Sequence, residues 1–240
     1  MRSIRKGAEP RALLDWKAQN AATPENLRYG GGGFPGEPVR AALLTEQFHL
    51  CAYTMKALAT ADVCKATGRD TRDSCHIEHL LPQARGIPAE TIDYQNMVAC
   101  FPPSQSNVAC QYGAPFKGAY DPAANSFVSP LAMNAEHHFA FDEDGEVTGV
   151  TAQGQATIKA LNLNHRSLVD DRVASIRGRL EPKTGRPISA ADARRLAAEI
   201  LKPDANQCLP AFCVAIAAVA LAHAERQERR AERLKGRRAR

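Results

Sequence analysis

The residues with the most chemistry in this chain fall in one stretch, Cys75-His76-Ile77-Glu78-His79-Leu80-Leu81-Pro82. Downstream, Asp93-Tyr94-Gln95-Asn96 opens into the apolar run Met97-Val98-Ala99-Cys100-Phe101. A third stretch, Gln111-Tyr112-Gly113-Ala114-Pro115-Phe116-Lys117-Gly118, ends on a basic residue at a turn. A neutral imidazole, with an ordinary pKa of about 6.5, is a suitable base at neutral pH. A carboxylate beside it can hold one divalent cation. An Asn amide can fix the imidazole through its other nitrogen or pin the intervening loop. A base and a cation together meet the two needs of phosphodiester hydrolysis, an activated water and a stabilised oxyanion. Side chains on a strand alternate with a period of two, so His76 and Glu78 point to the same face. That makes His76 a candidate metal ligand beside Glu78, against the plainer alternative of a histidine hydrogen-bonded within its own fold. On the motif alone, a hydrolytic site, a structural histidine cluster and other metal chemistry all stay open.

The elements that must position these residues read as an α+β chain, mostly helical, with a small β element in the middle. Pro10 followed by Leu13, Leu14 and Trp16 predicts a short amphipathic helix within residues 5–20. The run Gly30-Gly31-Gly32-Gly33-Phe34-Pro35-Gly36 reads as a flexible break, because glycine runs lose much entropy on ordering. Residues 1–36 then form an N-terminal arm on a glycine-rich tether, either a docking arm or a plainly packed helix. A helix is expected from Pro38 to Ala59, with Leu43, Leu44, Gln47, Phe48, Cys51, Met55 and Leu58 on one face. Ser126–Pro130 and His137–Phe141 read as short strands, and Asp144-Gly145 as a hairpin turn into Val147–Val150. Helical sequence follows from Gln153 to Leu180, interrupted near Asn162–Ser167. Another helix opens at Ser189 and ends before Pro203, and a last one runs from Pro210 into a basic tail.

Glu78-His79, then Asn96 heading an apolar strand, then Lys117-Gly118 resemble the HNH nuclease ββα-metal finger. There the acid–His pair ends one strand, the Asn begins the next and a helix packs across both. The likeness extends outward. Arg2-x-Ile4-x-Lys6-Gly7-x-Glu9-Pro10 with Leu13 and Trp16, Cys51-Ala52-Tyr53, Asp93-Tyr94-x-Asn96 and Ile158-x-x-Leu161-Asn162-Leu163-Asn164 are similar, in order, to the HNH proteins of retron- and Septu-associated anti-phage systems. The similarity covers most of residues 1–180. It implies a ββα-metal domain over residues 37–150 and a helical region with a basic tail over 151–240. It also implies an endonuclease subunit that cuts DNA with one divalent cation, Mg²⁺ or Mn²⁺, and works with an ABC/SMC-like ATPase. By resemblance His79 is the general base, Glu78 a metal ligand and Asn96 the orienting residue, while Lys117 contacts phosphate. Two positions depart from the pattern. Thr54 stands where many such fingers carry the second cysteine of a zinc pair, and Ala114 where many carry a third metal-binding His or Asn. His76 is the candidate replacement ligand. A weakened HNH-like adaptor that binds nucleic acid or partner, and an RNA- or tRNA-directed nuclease, are the alternatives.

Composition narrows the rest. With 240 residues, 44% hydrophobic and 24% charged, the chain is of ordinary globular make-up, unlike collagen, disordered tracts or disulfide scaffolds. The longest apolar run, Leu209–Ala222, falls short of the roughly 20 residues of a membrane span. The basic start Met1–Lys6 leads into Gly7-Ala8-Glu9-Pro10 rather than an apolar segment, so a cytoplasmic protein is expected. The formal charge of +5 lies in the tail from Glu225 to Arg240, while the body is neutral, which suits an anionic partner or a solvated helix end. None of the seven cysteines forms a Cys-x2-Cys pair, so no structural zinc is expected and the thiols read as packing residues. No phosphate-binding loop or nucleophile elbow is present in the sequence. With only 6% aromatics, DNA affinity would rest on phosphate contacts and be salt-sensitive.

Overall fold

The computed structural model describes residues 1–240 apart from 67–73, 105, 107–108, 182–186 and 239–240. The protein is α+β, about 47% helical, with two small antiparallel sheets. One apolar core runs from Met1 to Ala224 and draws on all three segments of the sequence.

Helix α1 (Arg11–Gln19) starts directly after Pro10 and buries Leu13 and Trp16. The glycine tract does not hang loose. Trp16 Nε1 donates to the Gly32 carbonyl at 2.8 Å, and the indole meets Phe34 edge-on at 5.4 Å. Met1 and Ile4 are buried, and the Ile4 amide donates to Pro130 O at 2.8 Å. Burial of these apolar side chains offsets the entropy lost in ordering the glycines. Of the two readings of residues 1–36, the plainly packed helix is the one observed.

Helix α2 is shorter than the periodicity suggests, covering Gly36–Glu46 rather than reaching Ala59. The chain turns back at Phe48 and His49, both at positive φ (52° and 57°), and Leu50 bridges Ala57. Gln47 explains the break. Its Nε2 donates to Leu50 O and Ala99 O, each at 2.8 Å, and its Oε1 accepts from the Ala99 amide at 2.7 Å. The residues after α2 thus cap the free edge of a strand, an arrangement that a continued helix would forbid.

After α3 (Ala61–Ala66), strand β1 (His76–His79) pairs antiparallel with β2 (Met97–Cys100), opposing His76 to Cys100 and His79 to Met97. The connection carries the one-turn helix α4 (Pro88–Thr91). β2 is buried along its length, as its unbroken apolar sequence requires. Helix α5 (Ala114–Lys117) is also a single turn. The second hairpin, β3 (Phe139–Phe141) with β4 (Val147–Gly149), turns at Gly145, whose φ of 76° needs a residue without a side chain. Ser126–Pro130, expected as a strand, has no ladder partner among the described residues.

The C-terminal half follows its sequence signals closely. Helices α6 (Ala152–Leu161) and α7 (Arg166–Leu180) are separated at Asn162, which takes a left-handed C-cap conformation. Helix α8 (Ala190–Glu199) opens on Ser189, whose Oγ accepts from the Asp192 amide at 3.2 Å. Helix α9 (Cys213–Arg238) buries Cys213, Ile216, Val219, Ala220 and Ala224, and residues 229–235 of the basic tail are exposed on it. Within the body, the sequence gives little hint of Arg172. It is 2% exposed and donates to the carbonyls of Gly145 and Leu163, tying the β3–β4 turn to α7. No described helix is long and apolar enough to cross a membrane.

Because Gln47 satisfies three buried backbone groups, Gln47→Leu should cost about 2–4 kcal/mol. Urea denaturation measures this, and an unchanged midpoint would show that the edge of β2 is held by other means.

Candidate active site

β1, the loop after it, α5 and the glycine-rich segment converge on His79. The side chain is 3% exposed. Its Nε2 lies 2.9 Å from the Thr91 carbonyl oxygen, which has no proton to give, so Nε2 carries the hydrogen and donates. In the neutral ring Nδ1 then holds the lone pair. The exposed Gln83 side chain offers its Nε2 to Nδ1 at 3.2 Å. Tyr29, from the segment before the glycine tract, covers the ring edge-on at 4.8 Å. An open cleft of about 230 Å³ lies alongside, lined by Glu78, His79, Gln83, Gly118 and Ala119. Burial pulls the His79 pKa below the ordinary imidazole value. The Thr91 carbonyl works against that, and the Lys117 charge adds to it. Burial accordingly favours the neutral form of the His79 ring.

Asn96 acts on the loop and does not touch the imidazole. Its Oδ1 accepts from the Leu81 amide at 2.7 Å, and its Nδ2 donates to Leu81 O at 3.2 Å and Glu90 O at 2.9 Å. The Leu80 amide closes the loop onto Asn96 O at 2.9 Å. Glu90 immediately precedes Thr91, so Asn96 holds the peptide that in turn holds His79. Of the two roles open to the amide in the sequence, the loop-pinning one is the one observed.

Lys117 is not held out towards a phosphate. Its side chain is 1% exposed, and its Nζ lies 3.0 Å from Glu78 Oε1 and donates to the His79 carbonyl at 3.0 Å. The expected phosphate contact is thus replaced by an internal ion pair that links α5 to β1. Burial raises the Glu78 pKa above the usual carboxylate value, with Lys117 and His76 pulling it back. The Tyr53 phenol, fully buried close to this carboxylate, is pushed well above its usual pKa by burial and then by the Glu78 charge.

His76 faces the same side as Glu78, as the alternation requires. Its Nδ1 donates to the Pro102 carbonyl at 2.5 Å, which in the neutral ring puts the lone pair on Nε2, and Nε2 lies 3.9 Å from Glu78 Oε2. A histidine whose second nitrogen donates to a backbone carbonyl is oriented as metal-bound histidines usually are. Neighbouring donors of an octahedral cation bonded at about 2.1 Å lie about 3 Å apart, so these two would have to close by about 1 Å to share one ion. Two donors suit Mg²⁺ or Mn²⁺, which keep waters and complete their shells with substrate oxygens. Among the described residues no three His, Cys, Asp or Glu side chains converge into a fuller cage.

Three residues of this arrangement were not singled out as site residues by the sequence. Thr91 contributes a backbone oxygen, which no residue type announces. Tyr29 comes from a distant segment. Gln83 had the one available signal, its place four residues after His79.

No protein-family model matches the chain, and no curated protein matches it.

Two outcomes are expected. In an NMR titration of the imidazole resonances, His79 should titrate with a midpoint below about 6.5, and a midpoint at or above that value would contradict its buried setting. Asn96→Ala leaves three backbone groups without partners and should lower stability by about 2–4 kcal/mol in denaturant melts.

Proposed function

We propose that the chain is a metal-dependent endonuclease of the HNH type that hydrolyses DNA phosphodiesters, with His79 as general base. The observation that carries this reading is the state of His79. Its Nε2–H is fixed on Thr91 O and its Nδ1 lone pair lies beside a cleft that Glu78 also lines. In this reading β1, β2 and α5 form the ββα-metal finger, with α5 reduced to one turn. His76 and Glu78 would hold one Mg²⁺ or Mn²⁺, which supplies charge to the phosphate oxygens as they become more negative.

The remaining work falls to the protein's own groups. Gln83, exposed and bound only through its amide, gives way at Nδ1 to a water molecule. His79 Nδ1 takes a proton from that water as its oxygen bonds to phosphorus and the bond from phosphorus to the leaving sugar oxygen breaks. Solvent water protonates that oxygen, and the positive ring keeps its Nε2–H on Thr91 O until it returns its proton to solvent. Asn96 keeps the Leu81–Glu90 loop in place while the ring changes charge. Lys117 keeps Glu78 ionised against burial, so that the carboxylate is available to the cation. An ABC/SMC-like ATPase that licenses cutting in anti-phage defence is part of the proposal and rests on the family resemblance alone.

A second reading has one observation in its favour. The Lys117 ammonium already neutralises one oxygen of Glu78, as it would in an HNH-like adaptor that binds nucleic acid or its partner without cutting. An RNA-directed nuclease would use the same groups, since none of them distinguishes one sugar from the other.

Plasmid cleavage with Mg²⁺ or Mn²⁺, alone and with the ATPase, tests the proposal. Wild type should nick or linearise the plasmid, and His79→Ala should lose at least about 10²-fold in rate, the lower end of what a general base contributes. The rate should fall only as pH drops through the His79 midpoint, below about 6.5, because the protonated ring is no base. Equal cleavage by His79→Ala would remove the assigned base. Metal-independent DNA binding with no cleavage in either setting would favour the adaptor.

A further inference from the structure

Arg40 stands out by what it lacks. It is 9% exposed, on the first turns of α2, and no hydrogen bond or ion pair reaches its side chain among the described residues. Its Nε is sealed from solvent without an acceptor. A guanidinium buried without a partner is costly. Arg172, buried more deeply, meets that cost with the carbonyls of Gly145 and Leu163, whereas Arg40 has no such acceptor among the described residues and an anion would supply one.

The surroundings suit such a ligand. The guanidinium bends back over the start of its own helix, where a side-chain carbon added at Gly36 would come within 3.1 Å of Arg40 Nη1. α2 begins after Pro35 with no side-chain cap. The Gly36 and Val39 amides are bound to Phe34 O and Pro35 O and Pro38 has none, so the start of α2 offers the Glu37 amide and the positive end of the helix dipole. Glu37, on the first turn, is exposed and forms no ion pair with Arg40. One wall is aromatic, with Phe34 edge-on to Tyr29 at 5.0 Å. Arg40 also lies within electrostatic reach of Tyr29 and of Cys75 at the head of β1. Burial raises the pKa values of both, and the guanidinium opposes that. Tyr29 is the same ring that packs on His79. The aromatic pair of Phe34 and Tyr29 therefore links the surroundings of Arg40 to the candidate base.

We propose that Arg40 and the start of α2 form a phosphate subsite that takes a backbone phosphate neighbouring the one placed at His79. The identity of that phosphate as part of a DNA strand rests on the proposed nuclease reading, whereas the anion site itself rests on Arg40 alone. The glycine-rich segment serves this geometry, since Gly36 leaves room for the guanidinium and Tyr29 joins the two sites.

Arg40→Met in the full chain tests this. In phosphate-free buffer the variant should melt at the same temperature as wild type or higher, because no protein partner is lost. Inorganic phosphate should raise the Tm of wild type and leave that of the variant unmoved. In EDTA, which prevents cutting, duplex DNA should bind the variant about 5–10-fold more weakly, with a plot of log K against log salt shallower by about one unit. A sharp loss of Tm in phosphate-free buffer, equal phosphate stabilisation of both proteins, or an unchanged salt slope with DNA bound would each overturn the subsite. Phosphate stabilisation that depends on Arg40, without DNA binding by wild type, would uphold the anion site and sink the DNA reading instead.

Discussion

A single hydrogen bond, from His79 Nε2 to the Thr91 carbonyl, sets the state of the whole site. A carbonyl can only accept, so it chooses the tautomer and leaves Nδ1 as the free lone pair. Much of the neighbourhood serves that bond. Thr91 sits at the end of a one-turn helix in the loop between β1 and β2. Asn96 holds the residue before it, and the Tyr29 amide donates to the Thr91 hydroxyl at 3.1 Å. The β1–β2 register puts His79 opposite Met97, immediately after Asn96, so the pairing of two four-residue strands aligns base and loop clamp together.

Around this fixed ring the charges are arranged in opposition. Burial favours a neutral Glu78, and Lys117 favours an ionised one. The same lysine disfavours a protonated His79. One buried ammonium therefore pushes the acid towards its charged form and the imidazole towards its basic form, the pair of states that metal-assisted hydrolysis would use. It also repels an incoming divalent cation, a cost that the Glu78 charge and the His76 nitrogen would have to offset.

How much of this was legible in the sequence varies by element. The β3–β4 hairpin announced itself through Asp144-Gly145, and α8 through Ser189 with Asp192, because those signals are local chemistry of the backbone. The strand pair carrying His76, Glu78, His79 and Asn96 was legible as a pattern of residue types. What was not legible came from tertiary competition. Helical periodicity ran on past Glu46, but Gln47 satisfies the edge of β2 and the chain turns away. The glycine tract read as a loose tether, yet Trp16 and Phe34 close on it. Lys117 looked like a phosphate contact because its residue type is all that a sequence displays, and its burial against Glu78 depends on a fold that brings α5 back to β1.

The proposed nuclease site requires that His76 and Glu78 together hold one divalent cation beside His79. The most direct measurement is Mn²⁺ binding followed by electron paramagnetic resonance in wild type, His76→Ala and Glu78→Ala, without substrate. One saturable site is expected in wild type, weakened about 10-fold or more by His76→Ala, as loss of a ligand or its orientation does elsewhere, and abolished by Glu78→Ala. Equal Mn²⁺ affinity in all three proteins would contradict it.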